Sequence, residues 1–406
     1  MRAALPPSSD VPLPPFCYDM TRLSRRVGQG APTGIDRVDQ TYFAWLLDSG
    51  APLTGLVRTG VGYLLLDRQG MQAMRDCLLA TPAAEDDKAQ HGGPRKHALR
   101  QLRRHAIARA PRWGVARMLR KQLPQGVRYL NIGHSNLEDA VIGAIRKVPD
   151  GRAIAMIHDT IPLDQSETVT EKSRARFHRA LTAALGCDLL LANSGQTRAD
   201  ILRFGGDGTP PTQVLFLGME PRLVRATEPP PSDAPPTFVM LGTIEPRKNH
   251  ALILDIWARF HATLASADIP HLIIIGGRGW RNEGVFETLD TAPFMGQSVH
   301  EVGRLDDASM SRTLSHANAL LFPSIAEGYG LPPMEAASIG LAVISADLAP
   351  VREILGDYPV YADTNDMQQW INAIDNVVAA GRTSAWKQPP PLPTWESHFR
   401  QLRSLL

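Results

Sequence analysis

Two adjacent cations, two glutamates separated by seven residues and one histidine with an acidic neighbour are the groups of this 406-residue chain that could do chemistry together. Arg247 and Lys248 stand in Gly242-Thr243-Ile244-Glu245-Pro246-Arg247-Lys248-Asn249, a turn of small residues between a strand-like run and a helical one. Backbone N–H groups, the positive end of a helix dipole and two cations would together hold a diphosphate there. The plainer reading of an Arg-Lys pair at a helix start is solvated surface. Glu327 and Glu335 bracket a second turn, Pro323 to Glu335, in which Gly328 and Gly330 permit close backbone approach to a ligand. Pro332 or Pro333 can begin the following helix, with Glu335 in its first turn. An isolated pair of glutamates would be surface charge, but both sit at a strand-to-helix crossing, which favours a site; the Glu327 carboxylate is expected to face solvent. The histidine, His158, sits with Asp159 in Met156-Ile157-His158-Asp159-Thr160-Ile161-Pro162, where a buried run ends. A lone histidine is more often structural, but its place at the end of a strand favours a site.

The elements that must position these turns are short apolar runs alternating with helical ones. In the last two-fifths, strands are expected at 238–241, 271–275, 299–302, 320–322, 342–345 and 360–361, with helices at 249–264, 306–316, 334–339 and 366–379. The first half repeats the pattern with strands at 16–19, 53–58, 127–132, 153–157 and 189–192 and helices at 34–47 and 174–185. Buried strands alternating with helices imply parallel sheets covered on both faces, and ligands of such sheets collect beyond the carboxyl ends of the strands. Five prolines in residues 228–236 read as an extended linker between two doubly wound domains, 1–227 and 237–388. Residues 394–406 restart as a helix, with Thr394 as N-cap and Trp395, Phe399, Leu402 and Leu406 on one side.

Length and composition exclude several classes. At roughly 150 residues per domain the chain holds two large or three small units. With 43% apolar and 21% charged residues it is an ordinary globular protein, and no run nears the ~20 apolar residues of a spanning helix. Met1 to Pro15 carries five prolines and no apolar core, so it does not read as a secretory signal, and the expected compartment is the cytoplasm. Cys17, Cys77 and Cys187 are too widely spaced for a metal or redox pair and are expected as free thiols. The formal net charge of +2 hides a basic segment: residues 88–137 hold 12 Lys/Arg and no Asp or Glu.

The Pro-Arg-Lys-Asn run at 246–249, followed some 80 residues later by Glu327-x7-Glu335, resembles the retaining, metal-independent glycosyltransferases of the GT-B fold in family four. The resemblance covers nearly the whole chain and is strongest in residues 238–355. It implies two Rossmann-like domains facing each other across a cleft, a nucleotide diphosphate sugar as donor and no cofactor. Arg247 and Lys248 would neutralise the departing diphosphate, Glu327 would contact the transferred sugar, and Glu335 would accept hydrogen bonds from ribose hydroxyls. Gly328, Tyr329, Gly330 and Leu331 would lay backbone amides along sugar and phosphate, and Val302 and Arg304, in Glu301-Val302-Gly303-Arg304-Leu305, would end the base-binding strand. In the first domain His158 would face the reacting sugar, with Asp159 orienting it or binding acceptor. Gly34, in Pro32-Thr33-Gly34-Ile35-Asp36-Arg37-Val38, would approach the donor phosphates, although the preceding stretch Arg22 to Ala31 is longer than the family's turn. The 243–249 run looks especially like bacterial mannosyltransferases of surface polysaccharides, which suggests GDP-mannose as donor and a carbohydrate or lipid-linked acceptor. The helix 394–406 would cross back to the first domain.

No Asp-x-Asp occurs in the sequence, so no metal site is expected. A GT-B sugar-nucleotide epimerase, or a binding protein without transfer, would share these features. A dinucleotide oxidoreductase has only Gly276-Gly277-Arg278-Gly279 in its favour, without the full GxGxxG pattern and its later acidic residue. Residues 95–121 are read as a membrane-facing segment. A helix from Lys96 to Arg109 would gather Leu99, Leu102, Ala106 and Ile107 opposite its cations, a second stretch would hold Trp113, Val115 and Leu119, and the protein would sit peripherally on the inner face of the cytoplasmic membrane. The alternative is a solvated helix packed on the first domain. Nucleic acid is not an expected partner, because no recognition motif accompanies the charge.

Overall fold

The computed structural model describes residues 12–29, 32–80, 93–165, 169–219, 223, 234–381 and 386–406. The expected linker therefore falls largely outside the described residues, as do 88–92 of the basic segment and Gly30 and Ala31 of the long stretch before Gly34. Thr21–Arg26 of that stretch form a helix, which accounts for its extra length.

The first domain is built on an eight-stranded sheet. Its strands are β1 (Phe16–Asp19), β2 (Leu53–Arg58), β3 (Tyr63–Leu66), β4 (Ala106–Ala110), β5 (Arg128–Asn131), β6 (Arg152–Ile157), β7 (Leu189–Ala192) and β8 (Thr212–Val214), in the spatial order β4-β3-β2-β1-β5-β6-β7-β8. Pairing is parallel from β2 through β8, as expected for strands such as Leu189–Ala192 whose residues are all buried. The edge pairs β2–β3 and β3–β4 are antiparallel, an addition to the wholly parallel sheet expected from the sequence.

Part of that edge corrects the reading of the basic segment. The helix begun at Gly93 ends at Arg104, and Ala106 and Ile107, expected on its apolar side, belong to β4. The run Ala-Ile-Ala-Arg-Ala alternates with period two and finds a backbone ladder on β3, which an isolated helical turn before Pro111 could not match. Helix Gly93–Arg104 buries Ala98 and Leu102, and helix Val115–Gln122 buries Val115, Met118 and Leu119. Their apolar sides thus face the protein and are not available to a bilayer. No helix among the described residues is long and apolar enough to cross a membrane.

The second domain carries β9 (Thr237–Leu241), β10 (His271–Ile275), β11 (Val299–Gly303), β12 (Ala319–Phe322), β13 (Ala342–Ala346) and β14 (Val360–Ala362), all parallel, in the order β11-β10-β9-β12-β13-β14. Numbered within the domain this is 3-2-1-4-5-6, the dinucleotide-fold order. The direction of winding reverses between β9 and β12, and a ligand crevice must open there.

The C-terminal helix Trp395–Leu405 packs on the first domain. Phe399 stacks on Trp45 with ring centroids 4.4 Å apart. Burial drives the His398 pKa down to about 4, so the ring is neutral. Nδ1 lies 2.7 Å from the Phe216 carbonyl, which can only accept, and so takes the proton; Nε2 then accepts from the Tyr42 hydroxyl at 2.7 Å. Emptying the space of a buried phenyl ring costs about 3–5 kcal/mol. Phe399→Ala is therefore expected to lower the urea midpoint of unfolding by the equivalent of about 3 kcal/mol, and an unchanged midpoint would show that this helix does not hold the first domain.

Candidate active site

Between the carboxyl ends of the two sheets lies a cleft of about 710 Å³ lined by both domains. At its floor the winding reversal brings together the turns after β9 and β12. The chain leaves β9 through Gly242, whose φ of 146° suits glycine alone, and a short turn Pro246–Lys248 ends on Asn249 at φ 53° before helix His250–Thr263. The turn after β12 is stitched alongside, Ile325 N donating to Arg247 O at 2.8 Å. Residues eighty positions apart thereby face each other.

The side chains there form one buried ion cluster. Arg247 Nη1 lies 2.9 Å from Glu327 Oε2, and its Nε lies 2.6 Å from Glu245 Oε1. Arg247 Nη1 also donates to Ala326 O at 3.2 Å, while Lys248 Nζ pairs with Glu327 Oε1. The Glu327 side chain is only 10% exposed, which corrects the expectation of a solvent-facing carboxylate. Two cations from the neighbouring turn supply the charge that draws it inward. Burial alone would raise its pKa, but Arg247 and Lys248 overcome that and hold it down at about 2. Burial, with repulsion from Arg247, lowers the Lys248 pKa despite Glu327.

Across the cleft, His158 follows β6 and is 4% exposed. Burial lowers its pKa to about 4, and Nε2 lies 2.8 Å from the Ile132 carbonyl. The neutral ring must donate from Nε2, which leaves Nδ1 as an acceptor. Asp159 lines the cleft beside it and takes a hydrogen bond from Ile161 N at 3.1 Å. Burial raises its pKa against the attraction of Arg247. Gly34 opens helix Gly34–Asp48 at the cleft wall, so that helix points its positive end inward.

The glycine turn after β12 closes the gap between domains. A Cβ on Gly328 would lie 2.0 Å from the His158 carbonyl, so only glycine fits, and Ser194 Oγ donates to Gly328 O at 2.8 Å. Gly330, at φ 94°, turns the chain into helix Leu331–Ser338. The Tyr329 hydroxyl donates to Leu217 O, while Leu331 and Arg304 also line the cleft. Val302 is not among the lining residues and is 41% exposed. Glu335 is buried on helix Leu331–Ser338 and pairs at 3.0 Å with Arg37 of the first domain.

Four cleft or near-cleft residues escaped the sequence reading. Glu245 immediately precedes the turn Pro246–Lys248 and reaches Arg247 from there, a carboxylate beside two cations in the same short run. Arg37 shares a helical turn with Gly34 at i, i+3, a similar hint. His134, whose Nε2 accepts from His158 N at 3.3 Å, and Trp280 on the rim are placed by tertiary contacts alone. Among the described residues no cluster of three or more potential metal ligands occurs.

With the geometry in place, comparison with known proteins assigns a class. The computed structure superposes on sucrose-phosphate synthase from Thermosynechococcus elongatus with a TM-score of 0.62 over 97% of this chain and 98% of that one, at 14% identity. The chain has the GT-B fold: two doubly wound domains with a cleft between them. Residues 226–385 match the family Glycosyl transferases group 1, and the second domain belongs to that family. Among curated relatives, the serotype-specific mannosyltransferase WbdA of Escherichia coli is 34% identical over 128 residues, 32% of this chain and 15% of the relative. The O-antigen chain mannosyltransferase B of Escherichia coli is 27% identical over 149 residues, 36% of this chain and 37% of the relative. The chain thus spans well under half the length of these relatives.

The ion cluster has a signature in acid. In the unfolded chain Glu327 titrates near 4.5, and in the folded protein near 2. A carboxylate whose folded pKa is depressed contributes stability fully above its unfolded pKa and loses it as pH falls through the folded one. The melting-temperature advantage of wild type over Glu327→Gln is therefore expected to be constant above about pH 5 and to shrink between pH 4.5 and 2. A difference independent of pH in that window would mean the carboxylate is not held by the two cations.

Proposed function

We propose that the protein transfers a hexose, mannose in the first instance, from a nucleotide diphosphate sugar to a carbohydrate or lipid-linked acceptor in bacterial polysaccharide synthesis. The observation that carries the proposal is the Arg247–Lys248–Glu327 cluster at the winding reversal of the second domain. In the reaction the bond from the anomeric carbon to the diphosphate oxygen breaks and a bond to an acceptor hydroxyl oxygen forms. Electrons of the breaking bond leave with the diphosphate, and the acceptor's proton passes to a departing phosphate oxygen on the same face, which retains the anomeric configuration. Arg247, Lys248 and the inward helix ends stabilise charge that grows as the diphosphate departs, so they lower the barrier more than they tighten ground-state binding. Glu327 and the Nδ1 of His158 are acceptors for sugar hydroxyls, and Glu335 is an acceptor for the ribose. The mannosyl assignment is supported by the names of the curated relatives.

Incubation with radiolabelled GDP-mannose, UDP-glucose and dTDP-glucose tests the reading, because only a transferase moves label onto an acceptor. Arg247→Ala and Lys248→Ala are each expected to cut turnover ~100-fold, the scale of removing one transition-state charge partner. Wild-type turnover in both variants would end the assignment.

The basic edge of the first domain is proposed to rest on an anionic membrane carrying such an acceptor. Trp113 is 88% exposed, and Val61 and Ile107 are exposed on the same antiparallel edge, Gly62 packing against Ala110 and Pro111 just before the tryptophan. Arg112, Arg117 and Arg120 are exposed around them, each cation adding about 1 kcal/mol near an anionic leaflet. Wild type is expected to float with anionic but not neutral vesicles, and Trp113→Ser combined with Arg112→Ser and Arg117→Ser should sediment with both. Equal flotation of the two proteins would remove the idea.

A further inference from the structure

Trp280 stands on the cleft rim with 48% of its surface exposed, and everything beneath it is fixed. The turn Gly276 to Arg281 lies directly on the phosphate-side turn after β9. A Cβ on Gly276 would fall 1.8 Å from Gly242 O, and one on Gly279 would fall 2.8 Å from Thr243 Cγ2. Ile244 N donates to Gly277 O and Gly279 N to Ile244 O, each at 3.0 Å. Arg278 is clamped by Asp290 and Glu301, at 2.7 and 2.8 Å. Arg281 adopts φ 52°, a left-handed conformation that L side chains seldom occupy, and its guanidinium donates to Val169 O of the first domain at 2.6 Å. The cross-cleft bond holds the turn that carries Trp280 at the junction of the two domains.

An exposed indole on an anchored turn, beside a hydroxyl-binding site, is a platform for a pyranose ring, whose axial C–H groups form an apolar face that stacks on an aromatic ring. The position distinguishes three ligands that could use it. Arg304, which the transfer reading puts beside the base, lies against Gly277, a Cβ on Gly277 falling 3.3 Å from Arg304 Nε. Trp280 follows Gly279, the residue at which the turn touches Thr243, Ile244 and Glu245. Glu245 is the carboxylate that holds Arg247, so this end of the turn belongs to the leaving-group and sugar end of the cleft. The other wall there is Ile161, Pro162 and Val169 of the first domain, next to Asp159. The transferred hexose is already accounted for by Glu327 and His158, deeper in the cleft and nearly inaccessible, whereas the indole is at the mouth.

We infer that Trp280 forms the floor of an acceptor subsite, stacking on the pyranose ring whose hydroxyl attacks the donor. The inference rests on the hexosyl-transfer reading and adds the residue that receives the acceptor. Protein labelled with 5-fluorotryptophan tests it by fluorine NMR, the Trp280 line being assigned by its absence in Trp280→Phe and the exposed Trp113 line serving as control. With the enzyme saturated in GDP, a panel of methyl α- and β-hexopyranosides is expected to move the Trp280 line and leave that of Trp113 in place. A Trp280 line that moves no more than the control with every glycoside overturns the inference. So does a line that GDP or UDP alone displaces and glycosides then leave unmoved, because that places the indole on the base. Thermal shift with the same nucleotides separates the two levels. No stabilisation by any nucleotide defeats the transfer reading itself, whereas stabilisation with an unresponsive Trp280 defeats the acceptor subsite alone.

Discussion

The ion pairs of Glu327 with Arg247 and Lys248 set the terms for the rest of the molecule. Taking three charges out of water costs several kcal/mol per ion unless they are paired at close range and hydrogen-bonded. Arg247 finds Glu245 within its own turn, but Lys248 meets its carboxylate partner, Glu327, only on the neighbouring turn. Only a sheet in which the first and fourth strands are neighbours puts the two turns side by side, and that neighbourhood is the winding reversal of the second domain. Residual lone pairs and protons are met by Glu245, Ala326 O and the backbone bond between the turns, so the cluster is buried and paired at once.

The first domain is fitted to that cluster through close contacts of three kinds. Gly328 meets the His158 carbonyl, Gly34 faces Leu331, and Arg37 reaches Glu335. A further carboxylate, Glu353, accepts from Gly195 N at 2.8 Å where helix Gly195–Gly205 begins. The apolar layer is continuous as well, running from beneath the first sheet through Leu217 and Tyr329 to Val351. The C-terminal helix then ties the end of the chain back to the first domain at Trp45 and Tyr42.

Much of this was legible in the sequence because its signals are local. Strands β1, β2, β7 and β10 have the bounds their apolar runs imply, and the turns after β6, β9 and β12 carry the residues singled out for them. What was not legible depends on partners distant in sequence. Tyr63–Leu66 is a four-residue apolar run that periodicity cannot assign to strand or helix, and it becomes a strand only through β2 and β4. Ala106 to Ala110 fits a helix by composition until that ladder is available. Glu327 looks like surface charge on its own turn, because the cations that draw it inward lie about eighty positions earlier. Trp280 is one tryptophan among seven until the fold sets it on the rim.

The resting charge balance of the cleft bears on how a donor would be accepted. Around the ion cluster alone, Glu245, Glu327 and Asp159 face Arg247 and Lys248, three carboxyls against two cations, a local excess that would repel a diphosphate. Two features answer that repulsion. Arg304 lines the same cleft, and the N-termini of helices Gly34–Asp48 and Leu331–Ser338 add positive potential that no titration removes. The arginine and lysine need not abandon Glu327 to meet a phosphate, since a guanidinium has five donors and an ammonium three. Sharing them between the carboxylate and a departing diphosphate keeps the cations in place before, during and after the bond breaks. Such fixed donors require no reorganisation at the moment when charge develops, and that is where they lower a barrier most.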